Sequence, residues 1–489
     1  MNLHLQRSGP TRSAAIRAKL AHPIVDADGH AIEYGPLFFE HLKQAGGPKL
    51  AERFHARLAA GGWDRMTPDE RRHRRTTRPS SWVHPARNTL DRATAIMPRL
   101  FRARMDDFGL DFSIVYPTLA LGTMRDDDEE IRRGTSRALN TMYAEQFRDQ
   151  ADRMAPVATI PAHSPGEAIE ELEYVVKTLG FKAVMINSNV RRPVPALVEH
   201  AAVPALAAHG GWIDTLCIDS PYDYDPVWAK CVELNVAVTQ HSPSVGWGSR
   251  VATHHYIHNH VGSFAAAGES FARALVLGGV TKRFPTLNFG FLEGGVAWAT
   301  ELYAGLVGHC EKRNPTAIGH YDPRSIDLEK MADLFAEFGR GMVNGRPDPG
   351  DPDLARSPIS WHWADDRWIA HELDNLGIRR AEDLRALFEP NFYFGCEADD
   401  PLAALGFDPR YNPFGARLKA IFSSDIGHWD VPDMTEVLEE AWGLVERGLM
   451  DDNDFRDFSF VYPSMLHAGM NPAFFKGTVV ETDVARMLG

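Results

Sequence analysis

Eight short apolar or β-branched runs, each passing through turn or polar residues into a helix-like stretch, constrain this chain more than any other feature. They are residues 23–28 (PIVDAD), 111–119 (DFSIVYPTL), 155–162 (APVATIPA), 181–189 (FKAVMINSN), 235–244 (NVAVTQHSPS), 287–295 (LNFGFLEGG), 391–397 (NFYFGCE) and 419–430 (KAIFSSDIGHWD). Strands covered on both faces read as continuous apolar runs, and their alternation with helices builds parallel sheets. Residues 164–180 carry the marks of one connecting helix: Ser164 as cap, Pro165 at the first position, Glu167 three residues after the cap and Gly180 at the end. Residues 263–279 (SFAAAGESFARALVLGG) read as another. Eight such units predict an α/β chain folded as a (β/α)8 TIM barrel, whose active face lies at the C-terminal ends of the strands.

Such a barrel needs about 250 residues, and this chain has 489. The surplus is assigned to two long insertions, about 31–104 after the first strand and 299–390 between the sixth and seventh. The expected organisation is an N-terminal arm (1–21), the barrel (22–470) and a C-terminal tail (471–489). The arm lacks the apolar core of a secretory signal and reads as a short helical or loose segment. No apolar run is long enough to cross a bilayer. With 52 Lys and Arg against 66 Asp and Glu, the net charge of -14 argues against general nucleic-acid binding. Cys217, Cys231, Cys310 and Cys396 show no C-x-x-C spacing, which fits a reducing compartment and a cytoplasmic protein. The basic run at 71–82, including Arg74 and Arg75, is either a solvated face or a lid that draws in a carboxylate or phosphate.

Polar side chains gather where the strands should end. Alternation along residues 24–28 sends Asp26 and Asp28 to one face and leaves Gly29 and His30 at the strand end. His241 directly follows the fifth run, and Glu293 ends the sixth before two glycines. Asp425 follows the eighth, with His428 and Asp430 beyond. Between the fifth and sixth runs lie His254, His255, His258 and His260, of which His260 is the expected pocket member. Buried carboxylates are costly without a counter-charge, so a cation is a physical reason for such convergence. Trp82, Trp247, Trp429 and Tyr116 either line an apolar pocket or anchor loops. Asn187, Ser188 and Asn189 either donate to a substrate or form an Asx turn.

Taken together and in this order, IVDADGH, TQHSPS, GGVTKRFPTLNFGFLEGGVAW and FSSDIGHWD resemble the amidohydrolase superfamily. The resemblance is strongest to its branch of metal-dependent decarboxylases and C–C hydrolases of aromatic catabolism, and it spans roughly 22–470 outside the two insertions. It implies that Asp28-Gly29-His30 stands where the family carries His-x-His. His241 stands for the fifth-strand histidine and Asp425 for the eighth-strand aspartate, while Glu293 takes a position often held by histidine. The implied pocket is Asp28, His30, Glu33, His241, His260, Glu293 and Asp425, suited to zinc, manganese or iron as one ion or two.

The implied activity is hydrolysis of a C–C or C–N bond, or loss of carbon dioxide, in a small aromatic or cyclic acid. A metal-activated water would serve as nucleophile, Asp425 or Glu293 would accept its proton, and His260 would protonate the departing atom. An alternative is a non-heme di-iron monooxygenase on the same barrel that hydroxylates an apolar substrate; a third is a non-catalytic barrel. The expected partner is a small molecule, with neither nucleic acid nor membrane, and the resemblance implies a homo-oligomer.

Overall fold

The computed structural model describes residues 9–60, 62–81, 84–200, 210–314, 316–322, 325–339, 341–342, 344–346, 373 and 376–489. Its strands are β1 (Val25–Ala31), β2 (Phe112–Pro117), β3 (Met154–Ile160), β4 (Ala183–Ile186), β5 (Val190–Pro193), β6 (Gly211–Asp214), β7 (Val238–Gln240), β8 (Phe289–Phe291), β9 (Phe392–Cys396) and β10 (Lys419–Phe422). Each of the eight expected runs overlaps one strand of a parallel sheet ordered β1-β2-β3-β4-β7-β8-β9-β10. The ring closes between β1 and the segment after β10, where the His30 amide donates to the Ile426 carbonyl at 2.7 Å and the Asp425 amide to the Asp28 carbonyl at 2.9 Å. This is a (β/α)8 barrel. Its wall around β8 and β9 is aromatic: Phe289, Phe291, Phe392 and Phe394 are buried and pack with ring centroids 5.1–6.4 Å apart.

The capping signals at 164–180 act as their chemistry requires. Ser164 accepts from the Glu167 amide, the Glu167 carboxylate accepts from the Ser164 amide, and Gly180 ends the helical stretch with φ +79°. The helix is α over Pro165–Glu173 and then widens to a π turn over Tyr174–Leu179. Strict alternation along β1 fails, however. Its register shifts between Asp26 and Gly29, and the Asp26 carboxylate ends on the side to which a Gly29 Cβ would point, 3.0 Å away. Asp26 and Asp28 therefore do not share a face, because a bulge offsets the period of two. The antiparallel β5–β6 hairpin had no signal in the sequence: its strands are four residues each and interrupted by charge. Arg192 holds it by donating to the buried Asp214 carboxylate at 2.9 Å.

The chain divides into two compact units, one of Met1–Tyr303 with Leu387–Gly489 and one of Ala304–Ala386. The first contains the barrel. Its stretch between β1 and β2 carries helices at Gly35–Ala60, Pro68–Arg74, Thr89–Ile96 and Pro98–Phe108, the first kinked at Gly47. The second unit includes the amphipathic helix Leu328–Phe338, capped by the Asp327 side chain. Near the N-terminus, helix Arg12–Arg17 is tied to helix Val437–Glu446 by Arg12, which donates to Glu439 and Glu446. Among the described residues, no helix is long and apolar enough to cross a membrane.

The described part of the basic run forms the end of helix Pro68–Arg74 and the irregular segment after it. Arg71 and Arg78 stack on Trp63, with guanidinium carbons 3.5 and 4.9 Å from its ring centroid. The segment is bound to the loop after β7: the Arg78 amide donates to the Ala252 carbonyl, and Asn259 donates to the Arg78 carbonyl. Arg74 and Arg75 are exposed. Trp82, at the end of the run, lies outside the described residues.

Candidate metal centre

The C-terminal ends of β1, β7, β8 and β10 bring Asp28, His30, His241, Glu293 and Asp425 to one buried point. Three overlapping groups of donor atoms each fall within 4.8 Å: Asp28, His30 and His241; His241, Glu293 and Asp425; and His30, Asp425 and His428. His30 Nε2 lies 3.1 Å from His241 Nε2 and 3.3 Å from both Asp28 Oδ1 and Asp425 Oδ1. His241 Nε2 lies 3.4 Å from Asp28 Oδ2 and from Glu293 Oε2. Ligands about an ion with bonds of ~2.1 Å are separated by roughly 3.0 to 3.4 Å, from octahedral to tetrahedral geometry.

The electrostatics agree with that spacing. Asp28 Oδ1, Glu293 Oε2 and both Asp425 oxygens are buried without a hydrogen-bond partner in the chain. Burial, then Glu397 and Asp28, pushes Glu293 well above the carboxylate range; burial, then Glu293 and Asp28, does the same to Asp425. Burial alone would raise Asp28, but the imidazoles of His241 and His30 overcome it and hold that carboxylate low. Burial lowers His30 to about 4, which keeps its ring neutral and a nitrogen lone pair free, as a metal ligand requires. Glu293 and Asp425 also adopt left-handed backbone conformations, with φ of +57° and +54°. Strain at two non-glycine residues in one cluster is a mark of a functional site.

Two expected members stand apart from the cluster. Glu33 belongs to none of the three donor groups; its Oε2 accepts from the Leu119 amide at 3.1 Å and its Oε1 from the Tyr143 hydroxyl at 3.1 Å. It pins the end of β1 to the loop after β2. His260 also lies outside the groups, with Nδ1 3.0 Å from the Ser80 carbonyl and Nε2 4.0 Å from Asp430. His255 caps helix Tyr256–His260, and His258 Nε2 contacts the Ser249 carbonyl, so these two histidines have structural partners. Asp26 likewise fastens the barrel seam, accepting from the Ser113 hydroxyl and the Ser424 amide; burial raises it to about 6.

Two residues went unrecognised as pocket members in the sequence. His428 stacks on His30 with centroids 3.5 Å apart and lies 2.7 Å from Asp425 Oδ1. Its signal was the spacing Asp-x-x-His after the last strand. Glu397 follows β9 directly, the barrel position that places Glu293 two residues after β8. Tyr116 and Trp429 belong to the wall, the first with its ring 6.0 Å from His30 and the second stacked on His428 at 4.4 Å. Trp247 is partly buried in the loop after β7. Asn187 donates to the Met124 carbonyl, the Ser188 amide to the Ser242 hydroxyl, and Asn189 to Ser188, so these three hold loops together.

The model of the amidohydrolase family matches residues 26–341. The chain belongs to the amidohydrolase family. The match includes Asp28, His30, His241 and Glu293; Asp425 lies beyond it. Among solved structures, an amidohydrolase from Mycobacterium avium subsp. paratuberculosis K-10 is similar at 17% identity, covering 92% of this chain and 100% of that one with a TM-score of 0.50. A 5-carboxyvanillate decarboxylase from Sphingomonas paucimobilis is 14% identical over 91% of this chain and 99% of its own, TM-score 0.47. A dihydroxybenzoic acid decarboxylase from Polaromonas sp. JS666, with bound manganese and the inhibitor 2-nitroresorcinol, is 16% identical over 91% and 97%, TM-score 0.47. At such identities the likeness of the first concerns the fold.

Proposed function

We propose that this amidohydrolase is a metal-dependent hydrolase or decarboxylase that cleaves a C–C, C–N or carboxyl bond of a small cyclic or aromatic substrate. The observation that carries this reading is the convergence of five buried donors at ligand spacing, with carboxylate oxygens that have no partner in the chain. Asp28, His30, His241 and Asp425 would hold a divalent ion, with Glu293 at its edge. Such an ion, when bound, acts as a Lewis acid toward a carbonyl, carboxylate or phenolate oxygen and acidifies water in its shell.

The chain's own residues supply the rest. Glu293, raised by burial, stores and returns a proton at its Oε2. His260 is oriented by its Nδ1–H donating to the Ser80 carbonyl, so Nε2 is the atom that meets a leaving group. Phe264 packs edge-on against His241 with centroids 5.0 Å apart and gives that side of the cluster an apolar wall.

The test is elemental analysis of protein purified without chelator, followed by turnover of manganese- and zinc-loaded protein on a panel of ring carboxylates, amides and C–C-cleavable ketones. Metal-dependent release of carbon dioxide or of the hydrolysed fragment is expected. Absence of stoichiometric metal, or turnover unaffected by its removal, defeats the reading. The same donors leave a second reading to be tested, two ions in the manner of a di-iron monooxygenase. Two irons per chain with substrate-dependent oxygen uptake would support it, and full turnover without oxygen eliminates it.

A further inference from the structure

The turn after β10, Asp425-Ile426-Gly427-His428, folds back onto β1. Asp425 and Gly427 take φ of +54° and +100°, the His428 amide donates to the Asp425 carbonyl, and the His30 amide donates to the Ile426 carbonyl. A Cβ on Gly427 would run into the His30 carbonyl, so only glycine lets the turn come this close. The turn delivers an imidazole held on both faces. His428 stacks on His30 with centroids 3.5 Å apart and on Trp429 at 4.4 Å, and its side chain is fully buried.

The two nitrogens of that ring have different surroundings. Nε2 lies 3.0 Å from the Thr118 hydroxyl as its hydrogen-bond partner. Nδ1 lies 2.7 Å from Asp425 Oδ1, yet the two are out of alignment, and neither atom has a hydrogen-bond partner in the chain. A hydrogen on Nδ1 would therefore have no aligned acceptor, whereas one on Nε2 donates to Thr118 Oγ1. That tautomer leaves a buried Nδ1 lone pair beside a buried carboxylate oxygen, which costs free energy unless a cation lies between them. Metal-bound histidines show the same division, one nitrogen on the ion and the other N–H on an oxygen acceptor. Asp425 Oδ1 is also 3.3 Å from His30 Nε2, and donor atoms of His30, Asp425 and His428 all fall within 4.8 Å of one another.

We propose that His428 is a metal ligand through Nδ1, on the ion that His30 and Asp425 hold, with Thr118 as the positioning residue that keeps Nδ1 free. This rests on the proposed reading of the cluster as a metal site and holds for one bound ion or two.

The test is anomalous diffraction from crystals of the manganese-loaded protein, with manganese affinity read from the EPR signal of free ion at dialysis equilibrium. A manganese peak at ligand distance from His428 Nδ1 is expected. H428F keeps a stacked ring and loses both nitrogens; it should bind that manganese more than about a hundredfold more weakly, beyond the range of an outer contact. T118V should weaken binding by about ten- to a hundredfold, within that range. Both variants are checked for unchanged melting, and the diffraction result on the wild type stands if H428F fails to fold. Manganese held by the other donors but away from His428, or wild-type affinity in H428F, overturns the proposal alone. Unchanged affinity in T118V overturns the part given to Thr118. A cluster that takes up no manganese at all defeats the metal reading itself.

Discussion

Replacing Asp425 by Asn should stabilise the metal-free protein and remove most of its stabilisation by metal. Asp425 is 1% exposed, its Oδ2 has no hydrogen-bond partner in the chain, and its Oδ1 faces two imidazoles that burial keeps neutral, His428 Nδ1 at 2.7 Å and His30 Nε2 at 3.3 Å. Burial, Glu293 and Asp28 all disfavour its ionised form, so the metal-free chain at neutral pH either keeps an uncompensated charge or takes up a proton. Asn does neither, has nearly the same shape, and tolerates the φ of +54° better than other substitutes. Relief of an unpaired buried polar group is worth about 1–3 kcal/mol, so metal-free D425N should melt above the metal-free wild type.

Manganese should narrow that gap and, where the metal-free advantage is below about 2 kcal/mol, reverse it. At about 100 times its Kd, a ligand stabilises the folded state by about 2.7 kcal/mol. With an unfolding entropy of roughly 2.1 cal/mol/K per residue, this corresponds to a rise of about 3 °C for a unit of this size. A variant whose affinity has dropped about a hundredfold retains only about 0.4 kcal/mol at the same concentration, a shift below about 1 °C. Scanning calorimetry of chelator-treated protein with and without manganese reads both effects. Equal manganese shifts in the two proteins, or a metal-free D425N less stable than the wild type, would refute the reasoning.

Glu33 gives a pH signature. Burial raises it from an ordinary 4.5 to about 7, so the folded state holds a proton that the unfolded state has released. Its contribution is complete below the lower value and is lost as pH rises through the higher one, a change of about 3 kcal/mol. E33Q should flatten urea-melt stability across that window and exceed the wild type at pH ~8; an unchanged profile would assign the slope to other groups. Gly427, at φ +100°, lies where a Cβ would run into the His30 carbonyl. G427A should therefore cost at least about 2 kcal/mol and weaken manganese binding, and a variant with normal melting and affinity contradicts the close-approach argument. Arg132 donates to Glu167 at 2.8 Å, with side chains 5% and 3% exposed. R132L should lose about 3–5 kcal/mol in urea melts, part of it recovered in R132L/E167Q, because the single change strands a buried carboxylate.

By itself the sequence determined the eight strands, the capped helix at 164–180 and the chemistry carried at the strand ends. These are local properties: apolar runs select buried strands, and Ser164, Pro165, Glu167 and Gly180 act on backbone groups a few residues away. Placement at a barrel's C-terminal rim followed once the units were counted, which brought Asp28, His241, Glu293 and Asp425 into one argument. Tertiary structure alone decided which polar groups meet. The bulge in β1 separates Asp26 from Asp28, and the loop after β2 supplies the Leu119 amide, which with Tyr143 holds Glu33 away from the donor groups. Closure of the ring stacks His428 on His30. Glu293 and Glu397 come together because β8 and β9 pair side by side, an adjacency between residues about a hundred positions apart that no local pattern encodes.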